Sequence, residues 1–173
     1  MIQVSISTKV KNLSSFRYPI LTNELLSGCA KRHILWHVAR KIGVSQTPLI
    51  ACIDDDPSVC EAIKGSLVAS GFTAEAFLSA EEFLQFDRLQ DTSCLITDVQ
   101  LGGMSGLQLQ DRLAESGSGI PIIFITAFPD ERIRERALSA GAVCFLSKPV
   151  TKEGLLTCIR AALHRRNGPG HSL

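Results

Sequence analysis

Four aspartates, a threonine and a lysine sit where apolar runs of this chain end. Leu49 to Ile53 leads into Asp54, Asp55 and Asp56, and Cys94 to Thr97 leads into Asp98. Ile120 to Ile125 leads into Thr126, and Ala142 to Leu146 leads into Ser147, Lys148 and Pro149. If these runs are parallel strands, their carboxyl ends converge on one edge of one sheet. The acids, the hydroxyl and the amine then meet at a point. Three or four carboxylates in one place repel one another unless a cation sits among them. The chemistry to explain is a cation-assisted acidic site in which Asp98 is the most informative member.

The segments between the runs must position these groups, and they carry helical periodicity. Val59, Ile63, Leu67 and Val68 recur at helical spacing, with Asp56 suited to the N-cap, Pro57 to the first turn and Ser70-Gly71 to the stop. Thr73 to Ala76 reads as a short strand. Ser79 with Glu82 reads as a capping box opening a helix that carries Phe83, Leu84 and Phe86. Beyond Asp98 lie a loop at 101–106, a helix from Leu107 to Glu115, a break at 117–119 and the strand Ile120 to Ile125. Pro129 or Asp130 opens a helix to Ser139, which Gly141 stops, and Val143 to Leu146 is the last strand. Thr151 and Glu153 open a final helix with Leu155, Leu156, Ile159 and Leu163 on one face. Five β-α units in a row predict a parallel sheet with helices on both faces and ligands at the carboxyl ends of the strands.

Apolar residues make up 45% of the 173, which suits parallel strands covered on both faces. No run reaches the roughly 18–20 residues that span a bilayer, and Met1 to Leu21 lacks the form of a signal peptide. A cytoplasmic location is expected. The net charge of +1 hides an asymmetry: seven basic side chains stand against Glu24 alone before Pro48, a net +6, which leaves −5 for the rest. This break suggests an N-terminal extension at 1–47, a globular domain at 48–166 and a tail at 167–173. The six cysteines show no zinc spacing, and Cys52, Cys94 and Cys144 fall inside strands, so buried thiols in a reducing compartment are expected.

Residues 49–165 resemble a response-regulator receiver domain of bacterial two-component signalling. The resemblance rests on Ile53-Asp54-Asp55-Asp56-Pro57-Ser58-Val59, on Asp98, and on Gly103-Met104-Ser105-Gly106. Phe124-Ile125-Thr126-Ala127, Ala140-Gly141-Ala142 and Phe145-Leu146-Ser147-Lys148-Pro149-Val150 complete it. Each motif is weak alone; in this order and spacing they are specific. The wording is nearest to receivers of the nitrogen-fixation-regulator type, which precede a helix-turn-helix output domain.

The resemblance implies a flavodoxin-like, doubly wound, five-stranded parallel sheet of order 2-1-3-4-5. It implies that Asp98 is the phosphoacceptor, a carboxylate attacking a phosphorus bound to a nitrogen leaving group. It implies Mg²⁺ held by Asp54, Asp55, Asp98 and the backbone carbonyl of Gln100. Thr126 would hydrogen-bond a phosphoryl oxygen, and Lys148 would set its ammonium against the same group. The bond before Pro149 would be cis. Phe145 would be the aromatic that rotates when Thr126 shifts. Asp56 reads as a helix cap rather than a ligand. One departure concerns the loop after Asp98, where Leu101-Gly102 replaces the family's Met-Pro; losing the proline frees that loop's backbone.

A single-domain response regulator is therefore expected, not an enzyme. It would take its phosphoryl group from a sensor histidine kinase and signal to a protein partner. The face made by the fourth helix, last strand and last helix is the expected outlet and the surface for a homodimer. Arg132, Arg134 and Arg136 near that face read as solvated helix surface. The family's helix-turn-helix would follow the last helix, and this chain stops soon after Arg166, so no nucleic-acid contact is expected. Two alternatives are weighed. A metal-dependent phosphotransferase or phosphatase on the same fold lacks a residue free to protonate a leaving group. An inert receiver-like module is at odds with the retention of Asp54, Asp55, Asp98, Thr126 and Lys148. In the extension, residues 31–42 form a basic amphipathic pattern that could meet a partner; membrane contact there is not expected. His33 and His37 lie i, i+4 without an acidic or thiol partner, so no metal site is assigned to them.

Overall fold

The computed structural model describes residues 47–167. The helix expected at 31–42, the His33/His37 pair, Cys29 and the tail beyond Asn167 lie outside the described residues. Within them the chain alternates strictly: β1 (Leu49–Ile53), α1 (Pro57–Ala69), β2 (Thr73–Phe77), α2 (Ala80–Leu84), β3 (Thr92–Asp98), α3 (Gly106–Glu115), β4 (Ile122–Thr126), α4 (Glu131–Ser139), β5 (Cys144–Ser147) and α5 (Lys152–Asn167). A short 3₁₀ turn, Leu89–Asp91, precedes β3. The five strands form one sheet in the order β2-β1-β3-β4-β5, and every pairing is parallel.

Alternate strand residues feed two cores. Ala51, Ile53, Leu95, Ile122 and Phe124 face a layer built by Ala80 and Phe83 of α2, Leu107, Leu109 and Leu113 of α3, and Ala137 of α4. Ile50, Cys52, Cys94, Ile96, Ile123 and Ile125 face Cys60 and Leu67 of α1 and Leu155, Cys158, Ile159 and Ala162 of α5. This two-sided cover explains why the strands read as unbroken apolar runs.

Local chemistry sets the helix starts. The Asp56 carboxylate accepts the Ser58 N–H at 2.8 Å, with Pro57 in the first turn. Asp130 accepts from the N–H groups of Arg132 and Ile133. Ser79 accepts from Glu82 as expected, while the Glu82 carboxylate takes the N–H of Leu78, one residue before the cap. The reciprocal capping box lies instead at Ser105 and Gln108, which opens α3. At the end of α1, Gly71 takes a φ of +87°, a left-handed turn that a side chain would resist.

Boundaries moved for identifiable reasons. β4 starts at Ile122, not Ile120, because Pro121 has no N–H to donate to the ladder. β3 starts at Thr92, a fully buried threonine that an apolar-run criterion passes over. The last strand is shifted by one residue to Cys144–Ser147, and α5 runs on through Asn167.

One expectation is corrected. Cys144 of β5 and Cys158 of α5 are joined in a disulfide, with Cα atoms 6.0 Å apart, rather than being separate buried thiols. The partners come from different layers, so their spacing in sequence carries no signal. Cys52, Cys60 and Cys94 are free and buried, and burial pushes the Cys94 thiol up to about 12.

Candidate functional site

The carboxyl ends of β1 and β3 are neighbours in the sheet, and each delivers one buried carboxylate: Asp54, one residue past β1, and Asp98, the last residue of β3. Lys148 reaches in from the loop after β5. Its Nζ lies 2.6 Å from Asp54 Oδ2 and 2.6 Å from Asp98 Oδ2. The other oxygen of each acid accepts a backbone N–H two residues on: Asp56 N–H to Asp54 Oδ1 at 3.1 Å, and Gln100 N–H to Asp98 Oδ1 at 3.0 Å. The two acids are thus held alike, one oxygen fixed by the chain and one turned to the amine. The cation that the acidic cluster demands is, among the described residues, the Lys148 ammonium.

Burial works against the charge on Lys148, but the hydrogen bonds to Asp54 and Asp98 outweigh it, so its pKa lies above the ordinary lysine value. Two carboxylates and one ammonium leave one negative charge in excess. The side chains of Asp54 and Asp98 are only 4% and 9% exposed, so little water screens that excess. Asp55 projects into solvent beside this group, and Gln100 is exposed. Among the described residues no set of three or more His, Cys, Asp or Glu side chains is gathered in metal-binding range.

The rim is built from β4 and β5. Thr126 is buried at the end of β4; its hydroxyl accepts the Phe128 N–H at 3.2 Å, and its carbonyl accepts the Lys148 N–H at 2.7 Å. The Lys148–Pro149 bond is cis, as the motif implied. Phe145 is half-buried, with its ring centroid 6.1 Å from that of Phe124, its partner across the β4–β5 ladder. Gly106 begins α3 against the floor of the site. A Cβ there would collide with the backbone oxygen of Asp98 and press on the Phe124 ring, so only glycine lets α3 start so close.

The family model for the response regulator receiver domain matches residues 50–160. The chain belongs to the receiver family. Its receiver is 42% identical over 126 residues to the response regulator protein TodT of Pseudomonas putida, covering 70% of this chain and 56% of TodT. It is 40% identical over 121 residues to nodulation protein W of Bradyrhizobium diazoefficiens, covering 70% of this chain and 53% of that protein. The chain therefore spans about half the length of these curated relatives. Among solved structures, the crystal structure of FixJ-N matches with a TM-score of 0.64 at 29% identity, covering 75% of this chain and 98% of that one.

In this receiver the expected members fall into two groups. Asp54, Asp98 and Lys148 are in direct contact, while Thr126 and Phe145 are linked to them through the β4–β5 backbone. A contact that sequence reasoning missed is Glu81 of α2, whose carboxylate accepts the Met104 N–H at 2.9 Å. The loop was expected to be loosened by the missing proline; it is anchored here from a neighbouring helix. Nothing in the spacing of Glu81 announces this. The Ser105-x-x-Gln108 box was also passed over, although its pattern is local. The α4 arginines are tied locally, Arg134 to Glu131 and Arg136 to Asp111. Arg165, in the last turn of α5, donates to the Gly141 carbonyl after α4.

Proposed function

We propose that this receiver accepts a phosphoryl group on Asp98 from the phosphohistidine of a sensor kinase and passes the change to a protein partner through β5. The observation that carries the reading is the pair of buried carboxylates bridged by Lys148. One acid oxygen is fixed and the other faces a cation, in a pocket where an extra negative group needs positive charge.

The residues divide the work. Gln100 N–H holds Asp98 Oδ1, which leaves Oδ2 as the attacking atom. Attack forms an O–P bond and breaks the N–P bond, whose electron pair returns to the imidazole. Such transfer needs positioning and charge neutralisation more than covalent help. Lys148 already touches Oδ2 and stays beside the phosphoryl oxygens as they arrive. Thr126 accepts a bond from Phe128, so its hydroxyl proton is available to a phosphoryl oxygen.

The donor set fits Mg²⁺. It is all oxygen, with Asp54 and Asp98 already flanking one cation, Asp55 exposed beside them and the Gln100 carbonyl next along the chain. Mg²⁺ takes one or two carboxylates and keeps waters and phosphate oxygens, so it needs no ready-made protein cage. When bound it neutralises charge on the transferring group.

Movement of Thr126 is transmitted along its carbonyl bond to Lys148 and along the ladder to Phe145. The α4–β5–α5 face is the proposed outlet, toward a partner or a second copy. The test is direct: incubate the protein with acetyl phosphate and Mg²⁺ and measure its mass. One added phosphoryl group, lost in Asp98→Asn, is expected. No addition, or equal addition to Asp98→Asn, overturns the reading.

A further inference from the structure

The Cys144–Cys158 disulfide ties β5, the strand through which the proposed response passes, to α5. β5 is an edge strand, hydrogen-bonded to β4 alone. On the α1/α5 side Leu146 packs against the core and Cys144 is joined covalently to Cys158 of α5. Side chains alternate along β5, so Cys144 faces the α1/α5 core while Phe145, the next residue, faces the other. Phe145 rests on Phe124 with ring centroids 6.1 Å apart, and the covalent tie that restrains the β5 backbone sits one residue away. The same strand delivers Lys148.

We propose that Cys144 and Cys158 form a reversible thiol-modification site, and that its oxidation restrains the β5 response to phosphorylation. The coupling rests on the proposed role of Asp98. Accessibility supports reversibility: Cys144 is only partly buried and Cys158 is 7% exposed, whereas free Cys52, Cys60 and Cys94 are 1%, 2% and 0% exposed. A small reagent therefore meets Cys144 first. The co-reactant class is a low-molecular-weight disulfide such as glutathione disulfide. The Cys144 thiolate attacks one sulfur and expels one glutathione thiolate; the Cys158 thiolate then attacks the mixed disulfide and expels the second. Two protein S–H bonds and one glutathione S–S bond become one protein S–S bond and two glutathione thiols. A dithiol reductant reverses the exchange.

The experiment uses the full chain, equilibrated with glutathione disulfide or with dithiothreitol. Thiols are counted by alkylation and mass, with peptide mapping. Amide exchange across 143–148 is then followed with and without beryllofluoride as the phosphoryl mimic. Two fewer thiols on oxidation are expected, mapped to Cys144 and Cys158 and regained on reduction. The beryllofluoride-induced change in exchange should be full in the reduced protein and lost or diminished in the oxidised one. Cys144→Ser and Cys158→Ala should each respond like reduced protein in either buffer. A pair that stays reduced in glutathione disulfide, or resists dithiothreitol in the folded protein, overturns the modification site. Equal beryllofluoride responses in both redox states overturn the coupling alone. No response even in the reduced protein overturns the Asp98 reading and the coupling with it.

Discussion

Two kinds of strand carry this site. β1 and β4 are buried at every residue and β3 at all but one, whereas no residue of the four-residue β5 is buried. Asp54 and Asp98 hang from the first kind; Phe145 and Lys148 come from the second or its following loop. The difference teaches a division of labour. The two acids are fixed by packing on both faces of the sheet. The groups proposed to respond sit on the least buried strand, which is where local opening is easiest.

The largest expected effect tests the packing side of that contrast. Phe124→Ala removes a fully buried ring and should cost about 3–5 kcal/mol in urea unfolding. Phe145→Ala, half-buried on the same ring contact, should cost less than half as much. Equal costs would erase the distinction between the strands. Next comes the charge side. Lys148→Met leaves two buried carboxylates with no cation and should cost about 2 kcal/mol, a figure reduced from a fully buried pair because the lysine side chain is 22% exposed. Part of that loss should return in the double variant with Asp98→Asn, read by the same unfolding curves. The smallest effect is Asp98→Asn alone. Asp54 keeps Lys148 and no unpaired charge is left, so the change should stay within about 1 kcal/mol. A cost as large as that of Lys148→Met would mean that Asp98, not the amine, organises the edge.

Most of the fold could be read from the chain because the signals are local. Apolar runs marked β1 and β4, Asp56 and Asp130 marked helix starts, and Gly71 marked a helix end. The acids and the lysine were legible for the same reason: each stands at the end of a run. What was hidden depends on which element lies beside which. The Cys144–Cys158 bond joins layers, the Glu81–Met104 bond joins α2 to a loop, and the shared grip of Lys148 on two acids needs four strands, β1, β3, β4 and β5, in register. Gly106 was visible as part of a motif, but its reason, contact with the Asp98 backbone, belongs to the assembled sheet.

Lys148 stands 94 residues after Asp54 and 50 after Asp98. A growing chain therefore carries both acids out of the ribosome well before the amine that steadies them. Without β5 and the loop after it, the two acids at the ends of β1 and β3 would lack the amine that bridges them. Arrival of the last strand finishes the hydrogen-bond ladder and brings the ammonium that offsets one of the two negative charges.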